Sequence, residues 1–152
     1  MSSPLRPNST PSGQHGVVLL EVLIAVVIMA IGLLGLAGLQ ARALQTNASS
    51  LQRSQVVMLS YMIIDAMRTD RASAKAGTYN IAKTCNVPSP GALSDNNKQV
   101  WLQALKDNLG NTNDTCGQIA CDAAGNCTIT VWWDDTRAGG GNQESLVTTT
   151  RL

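Results

Sequence analysis

Few residues of this sequence can do chemistry, and their spacing narrows what that chemistry is. Its one histidine, His15, lies ahead of a long apolar run, so the remainder of the chain has no imidazole to activate a serine or cysteine. The acidic residues form no strong paired-carboxylate pattern, and no glycine-rich phosphate loop precedes a basic residue. Asp134 and Asp135 are adjacent and could hold a cation in a loop, although such a pair more often marks a solvated hairpin end. The four cysteines, Cys85, Cys116, Cys121 and Cys127, follow the pattern C-x30-C-x4-C-x5-C, with no C-x2-C knuckle and no later histidine to complete a zinc site. They read as two disulfides formed in an oxidising compartment. Three pairings are open. A short turn predicted between Cys121 and Cys127 lets these two face each other across a hairpin, which leaves Cys85 for Cys116. No catalytic residue, metal or cofactor is expected.

The remaining chemical group is Glu21. It is the one interruption in a 23-residue apolar run, Val17 to Leu39. At about 1.5 Å per residue this run spans roughly 34 Å as a helix, enough to cross a hydrocarbon core of about 30 Å. An ionised carboxylate costs at least about 2.5 to 3.5 kcal/mol at mid-membrane and less near the edge, so Glu21 calls for a function. A secretory signal is a poor alternative. Its apolar core has about 7 to 15 residues and ends in an A-x-A-like site, which the Gly32, Gly35 and Gly38 region does not provide.

The elements that must position these groups read as an α+β fold. Residues 1–15 hold three prolines among Ser, Asn, Thr and Gly and are expected to be disordered. After Leu39 the chain turns polar without a breaker. Leu44, Ala48, Leu51, Gln55, Met58, Met62 and Ala66 recur at spacings of three and four, and Leu59, Ile63 and Met67 widen the stripe. This predicts a core-facing stripe, with Arg42, Gln45, Asn47, Ser49, Gln52 and Arg53 on the opposite, solvated face. One helix is expected from Val17 to about Ala74, its front half apolar all round and its rear half (40–75) amphipathic. Gly77-Thr78-Tyr79 ends it, and a loop runs through Cys85, Pro88 and Pro90. A second helix is expected from Ser94, as N-cap, to Leu109, with Gly110 as its stop and Trp101, Leu102, Leu105 and Leu109 on its core face. Residues 76–152 then make a small antiparallel sheet with strands at 118–121, 127–133 and 145–151. Alternation puts Ile129, Val131 and Trp133 inward and leaves Trp132 outward as an interface candidate.

Glycine 16, four apolar residues, Glu21 and an unbroken apolar helix together resemble the class III signal of type IV prepilins and of the related type II secretion pseudopilins. The stretch Gly32-Leu33-Leu34-Gly35-Leu36-Ala37-Gly38-Leu39-Gln40, with Asp65-Ala66-Met67-Arg68 and Val131-Trp132-Trp133-Asp134, is similar to the PilV-like family of minor pilins, the type IV pilus modification proteins. Val17 stands where most pilins carry Phe, and Arg6 is the only side-chain cation ahead of the apolar run. The resemblance implies a type IV pilin-like fold and a leader, 1–16, removed between Gly16 and Val17 by a prepilin peptidase, with N-methylation of Val17. It also implies a transmembrane segment, 17–39, that anchors the chain once in the inner membrane, with a periplasmic domain that enters a pilus on assembly. Glu21 would then be the assembly residue. The implied partners are other minor pilins, the major pilin and a tip adhesin, and the implied role is to prime pilus assembly. A minor pseudopilin of type II secretion is the alternative.

Charge agrees with a subunit that grips neither nucleic acid nor anionic lipid. The chain carries 11 Lys plus Arg against 10 Asp plus Glu, and loss of Arg6 with the leader would leave ten of each.

Overall fold

The computed structural model describes residues 15–152, with side chains from Val18 onward; the expected leader, 1–14 in particular, lies outside the described residues. The elements are α1 (His15–Thr69), α2 (Arg71–Lys75), β1 (Ile81–Thr84), α3 (Leu93–Leu109), β2 (Cys116–Cys121), β3 (Asn126–Trp133) and β4 (Glu144–Arg151). The chain divides into two compact units, residues up to Ala41 and Arg42–Leu152.

In the first unit, among the described residues, α1 packs on no other element. Its best 18-residue window has a mean hydropathy of 2.8 and no buried share. Leu19 is 71% exposed and Leu34 73%. A helix apolar on every side is stable only in an apolar surrounding, and this one is long and apolar enough to cross a membrane. It runs unbroken through Gly32, Gly35 and Gly38, where an added Cβ would meet nothing within 4 Å, so no packing among the described residues requires those glycines.

The second unit is a four-stranded antiparallel meander in the order β1-β2-β3-β4, backed by the rear of α1 and by α3. The strict alternation of β3 turns Cys127, Ile129, Val131 and Trp133 to the core, where each is at most 1% exposed. Against them pack Ile63, Ile64 and Met67 of α1 and Trp101, Leu102 and Leu105 of α3. Gly117 of β2 permits this approach: a Cβ there would lie 2.6 Å from the Trp101 ring. Tyr79, fully buried after α2, accepts a hydrogen bond from the Asn97 amide at 2.9 Å.

Four expectations need correction. The first concerns which side of α1 faces the core. Val56, Leu59, Ser60, Ile63, Ile64 and Met67 are buried, whereas Leu44 is 70% exposed, Leu51 60% and Met58 60%. Leu51 and Val56 lie about 140° apart on the wheel, so the widening residues are the core face and the expected stripe is largely outside it. The reason is polar. Ser49 donates to the buried Asp135 carboxylate at 2.7 Å, and Arg53 pairs with Glu144 at 3.1 Å, which draws part of the expected solvated face, Ser49, Gln52 and Arg53, toward the domain while Arg42, Gln45 and Asn47 stay exposed. Buried Ser60 donates to Val56 O at 2.8 Å, so its burial leaves no unmet donor.

The second correction is the end of α1. The helix stops at Thr69 rather than near Ala74, because Asp70 leaves helical geometry (φ −120°, ψ 53°) before the short α2 begins. Thr69 donates its hydroxyl back to Ala66 O at 2.8 Å, and Asp70 accepts from the Tyr79 hydroxyl at 3.4 Å. Third, Ser94 is no cap. It is buried inside α3, whose N-cap is Ala92, and the Asp95 carboxylate accepts the Ala92 N–H at 3.2 Å. Fourth, Ile81–Thr84 is a strand where a loop was expected. Asn80 continues the β1–β2 pairing with its side chain, accepting the Cys121 N–H at 2.7 Å and donating to Cys121 O at 3.1 Å.

Candidate functional site

The chemically notable residues fall into three separate groups. Glu21 lies in the first unit on α1, exposed among exposed apolar neighbours. The backbone of Gly16 and Val17 is helical, but their surroundings lie outside the described residues, and so does any geometry of cleavage or methylation.

The cysteines form the second group. Cys85 is bonded to Cys116, and Cys121 to Cys127, with no free thiol left among them. Cys121 and Cys127 are direct partners in the β2–β3 register, next to a turn that Gly125 makes with φ +89°. Asp122 holds this turn by accepting both the backbone and side-chain N–H of Asn126 at 2.8 Å each. Those same bonds keep its carboxyl below the usual range. Cys85–Cys116 ties the residue after β1 to the first residue of β2.

The third group lies around the end of β3. Trp132 points away from the core and is half-buried, with Lys83 Nζ 4.5 Å from its ring centroid. Sequence alternation placed the Trp; the lysine above it, carried by the unanticipated β1, was missed. Asp134 and Asp135 diverge. Asp134 accepts the Thr136 N–H at 2.9 Å, which with Arg137 nearby lowers its pKa, whereas Asp135 is 1% exposed and held by Ser49. The two carboxylates therefore have separate structural partners. Among the described residues no group of three or more His, Cys, Asp or Glu side chains is arranged to hold a metal ion. A cavity of about 310 Å³ lies beside Gln52, Leu109, Gly110, Thr112, Asp134 and Arg137.

The largest feature missed in the sequence is the exposed apolar row Leu44, Leu51, Met58 and Met62 on α1, flanked by Tyr61 at 52% exposure. Its signal was the spacing itself, assigned to the wrong partner. Comparison with known proteins yields no match: no family model, no curated protein and no solved structure resembles this chain closely enough to count.

Proposed function

We propose that this chain is a minor pilin subunit of a type IV pilus, PilV-like, anchored once in the inner membrane with Arg42–Leu152 in the periplasm. One observation carries the reading. A membrane-length helix with a single carboxylate, Glu21, four residues after Val17 continues as the spine of a small α+β domain closed by two disulfides. An apolar helix supplies the anchor, an oxidising compartment suits the disulfides, and the uncovered row from Leu44 to Met62 gives neighbouring subunits a surface.

In this role the chain is not an enzyme. A prepilin peptidase removes residues 1–16, and the new amine at Val17 is the methylation site. Glu21 sits one helical turn from that amine, and in an assembly it pairs with the amine of a neighbour, lowering the cost of both charges in a low-dielectric place. Trp132 and Lys83 give a second contact to other minor pilins, the major pilin or a tip adhesin.

Two measurements test the proposal. Intact mass of the membrane-extracted protein from a peptidase-competent host should lack residues 1–16, and recovery of all 152 residues would remove the pilin reading. Full-length Glu21→Ala should insert and be cleaved, yet fail to co-purify with minor pilins or to appear in sheared pili. Undiminished assembly would reduce Glu21 to a carboxylate at head-group level.

A further inference from the structure

The two edges of the sheet are built differently. The β1 edge is blunt: four residues, a register irregularity between Ile81 and Thr84, then a disulfide at Cys85 and prolines at 88 and 90. Short strands, irregular register and prolines are the devices that stop sheets from adding strands. The β4 edge has none of them. It pairs with β3 residue for residue over eight positions, from Glu144 opposite Trp133 to Arg151 opposite Asn126, and contains no Pro and no Lys. No strand among those described lies on its far side. Even its core-facing side chains Leu146, Thr148 and Thr150 are only half-buried, and Val147 on the outer face is 59% exposed.

The composition of β4 indicates what would pair there. Val147, Thr148, Thr149 and Thr150 have high strand propensity, and the strand is uncharged from Ser145 to Thr150. Its charges stand at opposite ends, Glu144 and Arg151, with Glu144 also bound to Arg53. A parallel copy of the strand would set acid beside acid and base beside base. An antiparallel copy opposes no like charges; it brings the acidic end of each strand near the basic end of the other, with Glu144 on the core face and Arg151 on the outer face.

We propose that β4 is a self-association edge, on which a second copy of this chain adds its own β4 antiparallel to make an eight-stranded sheet about a two-fold axis. The inference is independent of the pilin reading. Directly opposed residues of an antiparallel pair share a face, so Val147 meets either its own copy or an outer-face neighbour two residues away, Ser145 or Thr149.

The test uses the full-length protein in detergent. Sedimentation should give a concentration-dependent dimer. Val147→Lys and Val147→Glu should each weaken it about fivefold or more, because like charges then oppose each other across the axis, whereas mixing the two variants should restore it. Val147→Thr should keep the dimer and show that the site tolerates an uncharged change. Val147→Cys should cross-link to itself with a short bis-maleimide, which spans a directly opposed or a diagonal pair, while Val100→Cys, equally exposed at 59% on α3, should not. A monomer at all concentrations, a dimer indifferent to Val147→Lys, or cross-linking of Val147→Cys in native membranes only to a chain of different mass would each overturn the proposal.

Discussion

Residues 18–41 and Arg42–Leu152 use apolar residues in opposite ways. From Val18 to Leu39 every large apolar side chain is exposed and none is packed against another element among the described residues, while the second unit gathers Ile63, Met67, Trp101, Leu105, Ile129, Val131 and Trp133 into a core at most 1% exposed. The apolar surface of the first unit therefore draws its stability from its surroundings, and that of the second from its own packing and disulfides. The rear of α1 combines both habits, with one row inward and another, Leu44 to Met62, left outside.

Breaking the self-contained side of this comparison should have the largest effect. Trp133→Ala empties a fully buried position facing α1 and α3, and large-to-small changes of this kind cost about 3 to 5 kcal/mol. All three tryptophans lie in the second unit, so fluorescence-detected denaturation of the full chain in detergent reports on that unit. A cost below about 1 kcal/mol would mean that the second unit, too, relies on something outside the chain.

The covalent support of the same unit comes next. Opening Cys85–Cys116, by replacing both residues with Ser, releases a loop of sequence separation 31, for which chain-entropy estimates give about 3 to 4 kcal/mol. The same denaturation assay reads the loss. Non-reducing peptide mapping checks the connectivity, and a Cys85–Cys127 link would contradict it.

What could be read in advance divides along the same line. The inward set of β3 was legible because a two-residue period leaves no choice of face once one side is apolar: Ile129, Val131 and Trp133 have no polar rival. On α1 there were two apolar rows, and periodicity shows that a row exists without showing what covers it. The row with more hits was largely exposed from Leu44 to Met62, with only its last member, Ala66, packed against the core, because the partners that turned the helix, Asp135 and Glu144, lie 86 and 91 residues beyond Ser49 and Arg53. β1 escaped notice because Ile-Ala-Lys-Thr is short and neither alternating nor strongly apolar; pairing with β2 makes it a strand. At the candidate sites, Glu21 and the cysteines announced themselves by type and spacing, whereas Lys83 above Trp132 depended on that unforeseen strand.

A smaller effect sharpens how tightly the second unit is packed. Gly117→Ala puts a methyl group 2.6 Å from the Trp101 ring and 3.0 Å from the Leu102 side chain, so α3 or the ring must shift. Overpacking of this size costs about 1 to 3 kcal/mol. Combining it with Trp101→Leu should recover part of the loss, since the shared contact makes the two changes non-additive.

The smallest effect on stability is expected at the exposed row, and it separates the two uses of apolar surface within one helix. Leu51 and Met58 are each 60% exposed and contribute nothing to the core, so Leu51→Ser with Met58→Ser should change unfolding by no more than about 0.5 kcal/mol each. If the chain is the pilin subunit proposed above and the row is its contact surface, the same double variant should lose co-purification with other pilins while its denaturation curve stays in place. Val56→Ser, five residues from Leu51 and fully buried, is the matched control and should do the reverse, lowering stability first and association only as a consequence. Equal losses of stability from the two faces would mean that the outward row is covered by its own domain after all, and the division of α1 into an inward and an outward face would fail.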